Sequence, residues 1–184
     1  MAAALASMAF ARPPDFLVDG RGDAMAIRTM EGKLLLNGKG GRILKDTWSR
    51  RAGPEAPERW PKKSSSRDGR LRCDPLGCVW RMEGRVVALI KDEDNPEKAC
   101  DGADVVISNV PLRGACRGTR LVIDRFDLWR RGPHALWFGS EGVRVETVAQ
   151  WQGDRPWSWH PHPRKKTVEP VTQPLPPKEE DEEE

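Results

Sequence analysis

The stretch DVVISNVPLRGACRGTRLVIDRFDLWRRGPHALWFGSEGVRVETV, residues 104–148, carries the reading of the fold. Asp104 leads into Val105, Val106 and Ile107, a short β-branched run of the kind that forms a buried strand. Residues 119–123, TRLVI, repeat the pattern. Asp124 then has the chemistry of a helix N-cap, with Asp127 three residues on and Ile123 and Leu128 placed to form a hydrophobic staple. Gly132 suits the position just past a helix end, so DRFDLWRR predicts a helix of about two turns. Residues 134–138 and 143–148 flank Gly139-Ser140-Glu141-Gly142, a hairpin signal. Strand, crossing, strand, short helix and hairpin make the back half of a layered α/β or α+β domain.

Working upstream, residues 78–82 and 85–90 flank Glu83-Gly84 as a second hairpin, entered through a tight turn at 71–78. Asp94 and Pro96 open a short helix running to about Cys100. Residues 16–18, 24–28 and 33–37 read as a three-strand meander, turning at Gly20-Arg21-Gly22-Asp23 and Met30-Glu31-Gly32. Gly38-Lys39-Gly40-Gly41 lacks phosphate-loop spacing, and no Ser or Thr follows its Lys, so it reads as a turn. Residues 42–52 place Ile43, Leu44, Thr47 and Trp48 on one helical face, and Gly53-Pro54 stops the helix. Residues 53–70 read as a loop rich in Pro, Ser and charge. Downstream of Val148 the periodicity fades. Trp151, Trp157 and Trp159 stand among prolines and are expected to lie over the domain surface, with disorder from about Arg164 on.

The organisation follows: an apolar stub at 1–13, a domain at 14–160 and a Pro-rich, acidic, disordered tail at 161–184. Eight Trp and 38% apolar residues can support one core, while a mean hydropathy of −0.67 leaves much of the chain as loop. The formal charge of +3 hides a split, because residues 178–184 hold six acids and one Lys. Without them the chain is basic, a balance compatible with nucleic acid or anionic lipid. The stub, MAAALASMAFA and the two residues after it, is too short to span a bilayer and lacks a basic leader. Ala9-Phe10-Ala11 resembles a small-residue cleavage site; the segment also reads as the last turns of a membrane helix.

The four cysteines leave alternatives open. Cys73, Cys78, Cys100 and Cys116 are separated by four, twenty-one and fifteen residues. Two local disulfides, Cys73–Cys78 and Cys100–Cys116, would suit an oxidising compartment. A zinc site is the alternative, although only the first pair has knuckle-like spacing. Buried free thiols are the third reading. The three histidines are His134, His160 and His162. His160-Pro161-His162 lacks the further ligands a metal centre needs, and no nucleophile elbow accompanies Ser64, Ser65 and Ser66. Nothing in these patterns argues for an enzyme or for a cofactor. Residues 42–72 carry ten Lys or Arg against four acids, with Trp48 and Trp60 among them, the composition of a surface for single-stranded nucleic acid. The candidate contacts are Arg42, Lys45, Arg50, Arg51, Lys62, Lys63 and Arg67. The competing reading is a solvated loop whose Trp rings are held by the core.

Three segments resemble one family. ADVVISNVPLRGACRGTRLVIDRFDLWRRGPHALWF at 103–138 with GVRVETV at 142–148, RCDPLGC at 72–78 and GRVVALIKD at 84–92 are similar to the C-terminal end of alphaproteobacterial ComEC-type competence proteins. These are polytopic membrane proteins associated with DNA uptake in natural transformation. PDFLVDGRGDAMAIRTMEGKLLL, behind the apolar stub, resembles the exit from the last membrane helix into the soluble region. The resemblance covers roughly residues 1–160 and omits the channel region of the family.

In many members this region is a metallo-β-lactamase-like domain, proposed to degrade the non-transported strand. Residues 16–24, FLVDGRGDA, loosely echo its opening pattern, but the His-rich metal motif is missing. After the Asp104–Ile107 strand stands Ser108-Asn109-Val110-Pro111, and without ligands no metal-bound hydroxide forms. The resemblance therefore implies a β-rich α/β fold of α+β character, a reduced metallo-β-lactamase-like β-sandwich with a few short helices. The expected role is non-catalytic, structural or DNA-contacting, with no metal and no cofactor. The expected partners are the membrane channel portion of a competence protein and single-stranded DNA, at the plasma membrane on the periplasmic side. A small independent Cys-containing binding module and a metal-dependent nuclease with an unconventional site are the alternatives.

Overall fold

The computed structural model describes residues 12–37, 40–62, 64–91, 96–112, 114–153 and 155–158. Gly38, Lys39, Lys63, Asp94, Trp159, His160 and His162 lie outside the described residues, as do residues 1–11 and 161–184.

The structure is mixed α/β, with two mixed sheets and a few short helices. The first sheet is built from β1 (Phe16–Val18), β2 (Met25–Arg28), β3 (Leu34–Leu36), β4 (Glu58–Arg59), β10 (His134–Gly139) and β11 (Gly142–Thr147), in the order β11-β10-β1-β2-β3-β4. The second holds β5 (Leu71–Cys73), β6 (Gly77–Met82), β7 (Arg85–Ile90), β8 (Val105–Ser108) and β9 (Leu121–Ile123), in that order. The meander β1-β2-β3 is antiparallel, as the glycine-bearing turns predict. β7, β8 and β9 run parallel, so the chain must cross over outside the sheet between them.

The sheets face each other across one core. Trp80 of β6 meets Phe138 of β10 edge-on at 5.1 Å between centroids and Phe16 of β1 at 5.9 Å, so three rings bolt the layers together. Leu71, Val87, Leu89, Val105 and Ile107 from one sheet pack in the same cluster as Val18, Ile27 and Leu136 from the other. Each such side chain contributes about 1.5–3 kcal/mol by leaving water. All four residues of β8 are buried, which explains its unbroken apolar run: both faces of that strand are covered.

Two helices lie on the outer faces of the sheets, one on each. α1 (Arg42–Ala52) sets Trp48 and Ala52 on Leu17, Ala26, Leu34 and Leu36. Ile43, expected on that packed face, is instead 84% exposed. The rows of residues four apart decide this: Trp48 and Ala52 continue the row of Leu44, and Ile43 falls a step off it. α2 (Pro96–Cys100) covers the other sheet, where Cys100 and Cys116 join Ala88, Ile90, Val106 and Leu112.

Two further expectations change. Residues 53–70 are not all loop, because Glu58 and Arg59 add β4 parallel to β3 and Ser65 bridges to Arg72. Periodicity also does not end at Val148. α4 (Val148–Gln152) follows, capped reciprocally by Thr147 and Gln150. That capping box was present in the sequence as Thr147-Val148-Ala149-Gln150. No helix among the described residues is long and apolar enough to cross a membrane.

Candidate nucleic-acid interface

The cysteines form two pairs, Cys73–Cys78 and Cys100–Cys116. Cys73 and Cys78 are direct cross-strand neighbours on β5 and β6, and the Trp60 indole N–H donates to both sulfurs, at 3.2 and 3.4 Å. Trp60 is thereby buried in the main core, whereas the second pair belongs to the outer cluster beneath α2. The four sulfurs thus lie in separate clusters rather than around one point.

The loop after β1 and the ends of β8 and β9 form a rim at one end of the sandwich. Gly22 sits there with φ +72°, so close that a Cβ would stand 2.7 Å from Asn109 Cβ. The polar groups of this rim are spent on the backbone. Asp19 accepts from the N–H groups of Asp23 and Ala24, at 2.8 and 3.1 Å. Ser108 donates to the Ile90 carbonyl and accepts from the Val110 N–H. Asp124 accepts from Phe126, Asp127 and Leu112 N–H groups. Asn109 Oδ1 is the exception in this rim, buried without a hydrogen-bond partner among the described residues, as Arg85 Nε and Ser158 Oγ are elsewhere. No group of three His, Cys, Asp or Glu able to hold a metal occurs among the described residues. His134 is buried, with Nδ1 2.7 Å from the Gly132 carbonyl, and burial pushes its imidazole below the ordinary 6.5.

The candidate DNA contacts divide between two places. Arg42, Lys45, Arg50 and Arg51 lie on α1, where Arg42 stands 3.8 Å from Asp46. Lys62 and Arg67 lie on the link between β4 and β5, where Arg67 reaches Glu58 at 4.0 Å. Arg42, Arg50, Arg51, Lys62 and Arg67 are exposed and Lys45 is half-buried. Of the Trp rings in this stretch, Trp60 enters the core and Trp48 is half-buried between α1 and the first sheet, in line with the competing reading of rings held by the core. This stretch therefore offers charge without rings.

Rings and cations meet elsewhere. α3 (Arg125–Arg131) follows β9 directly, held by the predicted cap: Asp124 accepts from Phe126 and Asp127, and Asp127 returns the bond to the Asp124 N–H. Leu128 anchors it, only 1% exposed. A two-turn helix with one anchored position must leave its other faces in water. Arg125, Phe126, Trp129, Arg130 and Arg131 are all exposed. α4 packs beside α3, its Val148 Cβ 3.5 Å from where a Cβ on Gly132 would lie. Trp151 on α4 is 78% exposed, its indole N–H donating to Glu146 at 3.1 Å. Trp157, expected to lie against the domain, is 77% exposed. Guanidinium groups already sit over two of these rings, Arg130 at 5.7 Å from the Phe126 centroid and Arg155 at 6.0 Å from that of Trp157. Sequence reading explained Asp124 and Asp127 as caps but missed what the capped helix displays. The signal was there: helical spacing buries Leu128 and leaves Phe126 and Trp129 outside.

No family model, curated protein or solved structure matches the chain.

Proposed function

We propose that this chain is a non-catalytic soluble domain of a competence-type DNA-uptake membrane protein, contacting single-stranded DNA through the arginine–aromatic surface of α3 and α4. The observation that carries the reading is the exposure of Phe126 and Trp129 with Arg125, Arg130 and Arg131 on α3, of Trp151 on the adjoining α4, and of Arg155 and Trp157 just beyond it in the chain. Exposed rings accept any base by stacking, and arginines track the phosphates. The cations of α1 lie apart from these rings and would add attraction without stacking. Two facing sheets with helices outside each support the finer assignment, a reduced metallo-β-lactamase-like sandwich. The spending of Asp19, Ser108 and Asp124 on backbone bonds supports a role without catalysis. Two disulfides favour an oxidising compartment such as the periplasm.

The test is fluorescence anisotropy with a labelled oligo(dT) over a salt series. Four arginines on phosphates give a log–log salt slope of roughly −3. Arg130→Ala/Arg131→Ala should flatten that slope by about 1.4. Trp151→Ala should leave the slope alone and weaken binding by about 1–3 kcal/mol. If Arg50→Ala/Arg51→Ala weakens binding while the α3 and α4 variants do not, the surface is misassigned. Absence of binding at low salt rejects the DNA reading. Metal-dependent cleavage of the oligonucleotide would replace it with the nuclease.

A further inference from the structure

We infer that the acidic segment 178–184, KEEDEEE, docks on the arginine–aromatic surface of α3 and α4 and competes there with nucleic acid. Charge is the first argument. Arg125, Arg130, Arg131 and Arg155 are exposed, and none of the four has a salt bridge among the described residues. Among the described acids, Asp127 of α3 closes the helix cap, and Glu146 of β11 binds Arg144 at 2.7 Å and the Trp151 indole at 3.1 Å. The terminal segment supplies six carboxylates against one Lys. It is a string of anions at close spacing, the same charge pattern a phosphodiester backbone presents, without bases to stack.

Reach is the second argument. Ser158, the last described residue, lies six residues beyond the end of α4, and the acidic segment begins twenty residues later. Twenty residues span at most roughly 70 Å, while α3 and α4 are each shorter than about 12 Å, so the segment can return to the surface it follows. Tethering raises its local concentration to the millimolar range. Contacts between exposed arginines and carboxylates are individually weak and screened within a Debye length, so the docking is salt-labile and displaceable rather than a permanent cover.

The docking itself stands on charge and reach; the competition rests on the DNA reading above. The experiment compares the full chain with a full chain neutralised at the tail (E179Q/E180Q/D181N/E182Q/E183Q/E184Q). Two readouts are taken at low salt: affinity for labelled oligo(dT), and the indole N–H resonances of Trp129 and Trp151 without DNA. Neutralisation should tighten DNA binding by roughly three- to tenfold and shift both resonances, with the difference fading near 0.5 M salt. Adding Arg130→Ala/Arg131→Ala to both chains should erase the difference. Unchanged affinity and unchanged indoles, in a chain that binds DNA, overturn the inference and leave the DNA reading intact. Shifted indoles in chains that bind no DNA keep the docking and reject the DNA reading. A difference that survives loss of Arg130 and Arg131 but disappears with Arg164→Ala/Lys165→Ala/Lys166→Ala overturns it too, because the tail then pairs with its own basic run.

Discussion

Replacing Asp124 by Ala tests how the arginine-bearing helix is held. Its carboxylate has two tasks. Oδ1 accepts from the Phe126 and Asp127 N–H groups at 2.8 and 3.3 Å, closing the N-terminus of α3. Oδ2 accepts from the N–H of Leu112, a residue only 4% exposed, at 3.3 Å, tying the segment after β8 to the start of α3. Losing the cap costs about 1 kcal/mol, and leaving the buried Leu112 N–H unsatisfied adds about 1–3 kcal/mol. Asp124→Ala should therefore lose about 2–4 kcal/mol in urea unfolding, a sizeable part of a domain's typical 5–15 kcal/mol. Asp124→Ser separates the two tasks. Its shorter side chain caps the helix but does not span to Leu112, so it should recover only the cap's share. Asp124→Asn keeps one acceptor oxygen for the cap but turns an amide N–H donor toward the Leu112 N–H, so it too should recover only the cap's share. An Asp124→Ala protein within about 0.5 kcal/mol of the parent, or Ser and Ala variants of equal stability, would refute the reasoning.

Removing the outer disulfide with Cys100→Ser/Cys116→Ser opens a loop of sequence separation 16 and should cost about 3 kcal/mol. The separation of 5 for Cys73–Cys78 puts its loop-closure share near 2 kcal/mol, and urea midpoints with and without reductant compare the two. Gly22→Ala should destabilise by about 2–4 kcal/mol, because φ is +72° and the new Cβ meets Asn109; a thermal melt reads the loss. His134 is held below its ordinary 6.5 chiefly by burial, so the unfolded chain binds the proton more readily. Stability should be full above pH 6.5 and fall as the pH drops below it toward the lowered folded value, and His134→Gln should flatten that slope.

Local signals read well where the physics is local. The cap at Asp124, the hairpin at Glu83-Gly84 with φ of 50° and 71°, and the meander turns all follow from residues within a few positions of one another. The disulfide pairs were among the sequence alternatives because each joins near neighbours. Sheet membership was not legible. β9 and β10 are separated only by α3, yet one joins the second sheet and the other the first. β4 was hidden because a two-residue polar strand carries no period.

The candidate surface divides the same way. Composition identified Arg, Lys and Trp as neighbours in residues 42–72, but whether a ring faces water depends on what packs against it. Trp60 is drawn in by the Cys73–Cys78 pair and Trp48 by β2 and β3, while nothing described covers Trp151. The sequence by itself determined most of the strands, the Asp124 cap and the charge split between body and tail, because these depend on near neighbours and on composition. Only the tertiary structure decided which sheet each strand joins and which aromatic rings remain outside, because burial is set by partners distant in the chain.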